Sequence, residues 1–258
     1  GTAVQLDRQD SYRLIGQAVV SPTNESSGDI LAFDLPGGTS RHLEVDLAHP
    51  AQRIKSSPTI TCNNLGVCLA VWSELPSGSP PRIAAALFAP DGTVRSTFAV
   101  SAPTAVGDSA PVVASDGVNF LVAWQRLEQY IRRITSVEQT TAFRTELMTR
   151  LYDGSGAPLT DATLLPNERL EFWSTAVDTL SALNRVKYTL NRIDLDWVGD
   201  RYRLTRGINL GDAVGDPFVK FEDNGVFGSS TQLLTWRDID AAGALIAGSR
   251  ATVYNDAT

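Results

Sequence analysis

Two short hydrophobic runs flank an Asp-Gly pair in Ala110–Trp124, which reads APVVASDGVNFLVAW. Short runs rich in β-branched and aromatic residues predict strands, and Asp-Gly favours a tight turn because glycine tolerates positive φ. The segment therefore predicts a hairpin whose second strand ends at Trp124.

The same outline occurs earlier, in Ser57–Trp72. A proline opens each copy and a tryptophan closes it, 14 positions apart for Pro58 and Trp72 and 13 positions apart for Pro111 and Trp124. Each copy is followed by a third and a fourth strand pattern. These further strands are predicted at Arg82–Ala89 and Thr93–Ser101 in the first copy, and at Thr145–Tyr152 and Ala157–Leu165 in the second.

Weaker copies lie on both sides of this pair. A hairpin is predicted at Gly28–Leu47, a degenerate copy with Arg206 in the tryptophan position at Asn191–Arg206, and a last copy at Asp216–Val253 that lacks a fourth strand. Repeats of four antiparallel strands are typical of a β-propeller. We predict one all-β domain over residues 1–258 with about five four-stranded blades, closed by the N-terminal segment. A β-sandwich is the alternative.

The repeated segments also resemble a known group of sequences. SDGVNFLVAW preceded by proline, and Trp236-Arg-Asp followed by Ile246–Arg250, are similar to the degenerate propeller repeats of large bacterial secreted and surface proteins. The resemblance covers residues 57–165 and, more weakly, 216–253. It implies an extracellular scaffold and leaves the activity open, because one fold can have many functions.

An insertion, residues 125–144, separates the second and third strands of the second strong copy. Its apolar residues Leu127, Tyr130, Ile131 and Ile134 recur at helical spacing, which predicts a short amphipathic helix across one propeller face. Long insertions on rigid scaffolds often bind partners. We therefore predict a binding site formed by Tyr130, Arg132 and Arg133 for an acidic partner. The alternative is a cap that packs on its own domain.

The two cysteines, Cys62 and Cys68, flank a predicted hairpin turn. Opposite positions in antiparallel strands lie at a distance that a disulfide can span. Two buried thiols are the alternative, and a zinc site lacks the usual second ligand pair. A disulfide predicts a secreted, periplasmic or cell-surface location.

Composition narrows the range of partners. The 22 Lys and Arg against 29 Asp and Glu give a net charge of −7, which opposes general attraction to nucleic acids or anionic membranes. The longest apolar run, Ile83–Ala89, is too short for a spanning helix. The chain begins Gly1-Thr2 without a methionine, as expected for a piece of a longer protein.

No sequence motif assigns a reaction, and we predict neither a cofactor nor a metal site. The two histidines, His42 and His49, have no metal-ligand spacing. The clusters at Asp194–Asp200 and Asp238–Asp240 do not match a calcium-binding loop and are typical of turns or of solvated positions. Packing between blades explains three of the tryptophans, Trp72, Trp124 and Trp236, better than sugar stacking does.

These observations favour a non-catalytic extracellular module that binds a protein or a glycan at one propeller face. One alternative is a propeller glycoside hydrolase or lyase, whose carboxylates would come from strands around the axis. Another is a structural subunit of a surface assembly. The sequence names no carboxylate pair and no ligand, so the choice depends on the arrangement of the strands.

Overall fold

All regular secondary structure in the described part of the chain is β-strand. The structure is a computed structural model, and the residues that it describes are 2–6, 12–19, 28–35, 39–42, 54–76, 79–102, 106–133, 136, 139–166, 170–173, 190–209, 219–221, 232–249 and 251–255. No helix within these ranges is long and apolar enough to cross a membrane.

The strands form four antiparallel sheets, numbered here in chain order. The first contains β1 (Thr2–Leu6), β2 (Tyr12–Val19), β3 (Gly28–Leu35) and β4 (Thr39–His42). The second contains β5 (Ile54–Cys62), β6 (Cys68–Leu75), β7 (Arg82–Phe88) and β8 (Val94–Ala99). The third contains β9 (Gly107–Ser115), β10 (Phe120–Arg133), β11 (Gln139–Tyr152), β12 (Thr163–Leu164), β13 (Leu170–Trp173) and β16 (Val219–Phe221). The fourth contains β14 (Leu190–Trp197), β15 (Tyr202–Asn209), β17 (Gln232–Ile239) and β18 (Ala251–Asn255).

Successive sheets pack on one another in chain order. The first strand of the third sheet, β9, contacts β5 of the second sheet and β14 of the fourth, and β5 also contacts β1, β2 and β3. The structure thus confirms the predicted fold class, an all-β propeller type, with three four-stranded antiparallel sheets and one of six strands among the described residues. The alternative sandwich would need only two facing sheets.

Both faces of the third sheet carry apolar residues. Phe120, Val122 and Trp124 pack against the second sheet, whereas Leu121 and Ala123 pack against the fourth. Neighbouring residues of a strand point to opposite faces, so a continuous apolar run is needed where both faces are covered. This explains why FLVAW does not alternate with polar residues.

The spacing of proline and tryptophan in the two strong copies reflects a bulge. The register of β5 with β6 shifts at Ser57 and Pro58, which lie opposite Trp72, and the register of β9 with β10 shifts at Ala110 and Pro111, opposite Trp124. Proline has no N–H to donate to a neighbouring strand and is tolerated at such irregular positions.

The last two predicted units are corrected. Asn191–Arg206 and Asp216–Val253 were predicted as separate copies, but β15 pairs with β17, so that β14, β15, β17 and β18 form one sheet. The third strand predicted at Ile246–Val253 overlaps β18, which is the fourth strand of this sheet. The predicted closing role of the N-terminal segment is also wrong, because β1 pairs with β2 in the first sheet.

Two of the three tryptophans occupy the position predicted for them. Trp72 of β6 and Trp124 of β10 are fully buried in the second strands of their sheets. In the fourth sheet that position belongs to Arg206, which is 1% exposed and donates a hydrogen bond from Nη2 to Thr145 Oγ1 at 3.0 Å. Trp236 lies in the third strand and is half-buried. Its predicted equivalence to the other two is therefore wrong.

Cys62 and Cys68 form the predicted disulfide. They are directly opposite each other in the register of β5 and β6, with Cα atoms 3.9 Å apart. The turn between them is held by the Asn63 side chain, whose Oδ1 accepts hydrogen bonds from the N–H groups of Leu65 and Val67. The bond joins the ends of the first two strands of the second sheet.

The insertion is not a helix. Residues 120–133 and 139–152 form one long antiparallel hairpin, β10 and β11, with Arg133 opposite Gln139. Its outer half, residues 128–133 and 139–144, is called the arm. The apolar residues of the insertion have helical spacing, but the β-branched residues Thr140 and Thr141 on the partner strand favour the strand.

Candidate functional site

A pocket of about 370 Å³ lies where the first strands of three sheets meet. It is called the central pocket here, and its walls are Thr59–Thr61 of β5, Val112–Ser115 of β9 and Asp194–Trp197 of β14. First strands from different sheets therefore build a single concave site, although they are far apart in the sequence.

Side chains alternate between the two faces of β14, and this alternation places the two acidic residues of the pocket on the accessible face. Ile193 and Leu195 are buried in the core shared with the third sheet, so Asp194 and Asp196 lie on the opposite face of the strand and remain accessible. Asp194 Oδ1 accepts a hydrogen bond from the Leu195 N–H at 3.0 Å. Both carboxylates are on one strand, two residues apart.

The surroundings of Asp196 favour the neutral form of its carboxyl group. Partial burial, and secondly the negative charge of Asp194, raise the pKa of Asp196 above its usual range. Both effects disfavour the charged form of Asp196. Among the described residues that line the pocket, no Lys, Arg or His compensates this charge.

Hydroxyl groups on the other two strands face the same space. Thr59 and Thr61 come from β5, and Ser115 comes from the end of β9. The Ser115 hydroxyl donates to the Asn119 carbonyl at 2.8 Å and accepts from the Gly117 N–H at 3.1 Å, so its position is set by the β9–β10 turn.

An aromatic pair borders the acidic strand. Trp197, half-buried, packs edge to face against Tyr202 with ring centroids 4.8 Å apart. Burial, together with the nearby negative charge of Asp116, raises the pKa of Tyr202, which therefore stays a neutral phenol. Trp197 is on the same face of β14 as Leu195, packs against the core shared with the third sheet, and lines the pocket as a fixed aromatic residue.

The chemistry of this pocket is that of a polar binding site. It has carboxylates and hydroxyls that can bond to a polyhydroxylated ligand and an aromatic ring that can cover an apolar face. Among the described residues no group of three or more His, Cys, Asp or Glu is arranged to hold a metal ion.

The predicted binding residues Tyr130, Arg132 and Arg133 lie in the arm and do not line the central pocket. Tyr130 and Arg132 are half-buried and share one face of β10, whereas Arg133 is exposed on the other face. The Arg144 guanidinium lies over the Tyr130 ring, 5.5 Å from its centroid. The three residues therefore do not share one face of the strand, and their role in binding stays a prediction.

Sequence reasoning missed the central pocket. Asp194 and Asp196 stood out only as a weak calcium cluster, and nothing in the sequence linked them to Thr59 or Ser115. The one available signal was the pattern Ile-Asp-Leu-Asp-Trp in a first strand, which turns two carboxylates to the face away from the core. Of the other candidates, the backbone of His42 lies in β4, and His49 lies outside the described residues.

No protein-family model matches the chain, and no curated protein matches it. Solved structures with similar folds include an α-L-arabinanase from Penicillium chrysogenum, at 14% identity and a TM-score of 0.46, covering 98% of this chain and 74% of the other. They also include an α-L-arabinofuranosidase from Lactobacillus brevis, at 10% identity and a TM-score of 0.42, covering 93% and 73%. Likenesses at these scores assign neither a substrate nor an activity.

Proposed function

We propose that this protein binds a glycan in the central pocket. The observation that carries the proposal is that one pocket, built from three first strands, is lined by two aspartates, three residues with hydroxyl groups and one tryptophan. Carboxylates and hydroxyls bond to sugar hydroxyls, and an aromatic ring covers the C–H face of a sugar ring. The disulfide supports a location outside the cytoplasm, where glycans of other cells and of matrices are encountered.

The test is a glycan array followed by titration of the best hit. Asp194→Asn keeps the shape of the side chain and removes its charge, so we expect about tenfold weaker binding from the loss of one charge-assisted hydrogen bond. Trp197→Ala should weaken the same ligand by a similar factor, since it removes the aromatic surface.

Asp161→Asn is the matched control, because Asp161 is an exposed carboxylate outside the pocket. We expect wild-type affinity for this variant. Equal affinity of the Asp194 and Asp161 variants, or an array without any hit, would contradict glycan binding in the pocket.

A glycoside hydrolase is the second candidate, and the pairing of Asp194 with Asp196 favours it. A glycosidase uses two carboxyl groups, one of them as an acid, and the raised pKa of Asp196 fits the acid. Their Cα atoms are about 6.6 Å apart, from the rise of an extended strand.

Hydrolysis is tested by release of new reducing ends from the glycan found on the array. We expect Asp194→Asn and Asp196→Asn each to reduce the release at least a hundredfold, and Asp161→Asn to leave it unchanged. Binding without release would leave the non-catalytic function, and release that survives both substitutions would contradict a role for this pair.

A further inference from the structure

The disulfide-bonded turn between β5 and β6 has the same hydrogen bonds as turns in the third and fourth sheets. The Asn63 Oδ1 accepts from the N–H groups two and four residues later, and the Asn63 N–H donates to the Val67 carbonyl at 2.9 Å. Asp153 and Asp240 begin their turns with the same three hydrogen bonds. The first residue supplies an acceptor in each turn, from a carboxylate at Asp153 and Asp240 and from an amide at Asn63.

The Asn63 amide makes a further contact that a carboxylate cannot make. Its Nδ2 donates to the Val118 carbonyl at 3.2 Å, and Val118 lies in the β9–β10 turn of the third sheet. Asn63 is 6% exposed, so this hydrogen bond is shielded from water. The Asn64 N–H donates to the Gly117 carbonyl at 2.8 Å. An asparagine at this position thus links the disulfide-bonded turn to the β9–β10 turn.

The β9–β10 turn holds one of the hydroxyl groups of the central pocket. The carbonyl of Gly117 accepts from Asn64, and the N–H of Gly117 donates to Ser115 Oγ at 3.1 Å. The Ser115 hydroxyl donates to the carbonyl of Asn119, the residue after Val118, at 2.8 Å. The contacts from the disulfide-bonded turn therefore act on the residues that hold the Ser115 hydroxyl.

The disulfide fixes the other end of this link. Cys62 directly follows Thr61, which lines the central pocket, and its bond to Cys68 closes the turn that contains Asn63. A cross-link that closes a short loop restricts the conformations of the residues within it. Without the bond, only hydrogen bonds and packing would hold Asn63 against the β9–β10 turn.

We propose that Asn63 and the Cys62–Cys68 disulfide position the wall of the central pocket, and that ligand binding there depends on the intact disulfide. They act through the β9–β10 turn on the Ser115 hydroxyl. Reduction by a dithiol such as dithiothreitol breaks the S–S bond, leaves a thiol on each cysteine and oxidises the dithiol to a cyclic disulfide. The dependence of binding rests on the proposed glycan function, whereas the positioning of Ser115 is measurable without a ligand.

Asn63→Asp isolates the link between the two turns. The new carboxylate keeps the acceptor for the hydrogen bonds of its own turn, as at Asp153, but has no N–H for the Val118 carbonyl. We expect the amide hydrogens of Asn64 and Gly117 to exchange with solvent about tenfold faster, because the two turns separate more often. Hydrogen exchange followed by NMR on the ligand-free protein measures this. Unchanged exchange at both amides would overturn the positioning role of Asn63.

Asp240→Asn is the matched control. It makes the reverse change of side chain in the same type of turn, keeps the acceptor, and lies outside the walls of the central pocket. We expect wild-type exchange at Asn64 and Gly117 in this variant. Exchange that is accelerated as much as in Asn63→Asp would overturn a specific role of Asn63.

Reduction tests the disulfide in the same way. In the presence of dithiothreitol, exchange at Gly117 should become about tenfold faster, while the Ser155 amide in the Asp153 turn keeps its rate. The combined variant Cys62→Ser and Cys68→Ser should exchange like the reduced protein and should not respond to dithiothreitol. An unchanged rate at Gly117, or an equal increase at Ser155, would overturn a specific action of the disulfide on the β9–β10 turn.

Glycan affinity provides the functional readout, measured at a temperature at which every variant is folded, so that a change in global stability alone does not alter it. For the best ligand from the array, Asn63→Asp and reduction should each weaken binding about tenfold. Asp240→Asn should bind like wild type. Faster exchange at Gly117 with unchanged affinity would overturn the dependence of binding on the disulfide. An array without any hit contradicts the glycan function, and the exchange rates still decide whether Asn63 and the disulfide position the pocket wall.

Discussion

At the scale of single residues, the carboxylates of the fourth sheet divide into two kinds. Asp196 faces the central pocket without a cation among the pocket walls, and its pKa is raised. Asp238 is 6% exposed and is bound by Arg203, with Nε 2.8 Å from Oδ1 and Nη2 3.0 Å from Oδ2. The charged form is disfavoured at Asp196 and favoured at Asp238. We therefore expect the two carboxylates to contribute to stability with opposite dependence on pH.

Asp196→Asn should stabilise the fold at neutral pH. Because the pKa of Asp196 is raised in the folded state, its contribution to stability is complete below the unfolded-state pKa of about 3.9. This contribution is lost as the pH rises through the folded-state pKa. The asparagine side chain stays neutral at every pH, so the variant does not lose this stability at neutral pH. We expect the melting temperature at pH 7 to rise by about 1–2 °C, and the gain to vanish near pH 3.5. Thermal unfolding followed by circular dichroism checks this, and a lower melting temperature at pH 7 would contradict it.

Asp238→Asn should show the opposite behaviour. The hydrogen bonds from Arg203 lower the pKa of Asp238, so the carboxylate stabilises the fold above a pH of about 4 and this contribution is lost as the pH falls through the folded pKa. We expect a cost of about 1–2 kcal/mol at pH 7, modest because Arg203 is partly exposed. Urea unfolding at pH 7 and pH 3 measures it, and a difference independent of pH would be evidence against the pair.

At the scale of elements, hydrogen bonds join the hairpin turns of neighbouring sheets. The β9–β10 turn meets the disulfide-bonded turn of the second sheet, where the Asn64 N–H donates to the Gly117 carbonyl at 2.8 Å. Asn63 Nδ2 donates to the Val118 carbonyl at 3.2 Å. Two hairpin turns that are ordinary in the sequence therefore form one interface between sheets.

Gly117→Ala should be costly at this interface. Gly117 has a φ of +96°, and an added Cβ would clash with the Asn64 side chain. We expect a loss of about 1–3 kcal/mol in the free energy of unfolding, measured by urea denaturation. Gly199→Ala is the control, because Gly199 has a φ of +100° but nothing within 4 Å of the added atom. Equal losses for the two variants would show that backbone strain alone accounts for the effect.

At the scale of the whole molecule, the sheets share their cores. One buried cluster joins the second and third sheets and includes Leu69 and Trp124, and another joins the third and fourth and includes Leu121 and Leu204. No sheet among these three can unfold without exposing the apolar face of a neighbour.

We therefore expect one cooperative unfolding transition. Differential scanning calorimetry should give a calorimetric enthalpy equal to the van't Hoff enthalpy. Single-residue losses such as that of Gly117→Ala should move this transition as a whole. Two separated transitions would contradict the prediction of a single domain over residues 1–258.

Local patterns in the sequence were sufficient for the strands, the turns and the disulfide. Asp116-Gly117 marks a hairpin turn, and the short link from Cys62 to Cys68 places the two thiols opposite each other, because both depend on residues near in the chain. The insertion was misread as a helix because Leu127, Tyr130 and Ile131 match helical spacing, whereas pairing with β11 makes the segment a strand.

Contacts between residues far apart in the chain bring residues 190–209 and 232–255 into one sheet. Such contacts also form the central pocket. Asp194, Thr59 and Ser115 meet only because β5, β9 and β14 pack together, and packing between sheets leaves no local pattern in the sequence. Sequence periodicity determined which residues form strands, and long-range packing determined which strands create a site.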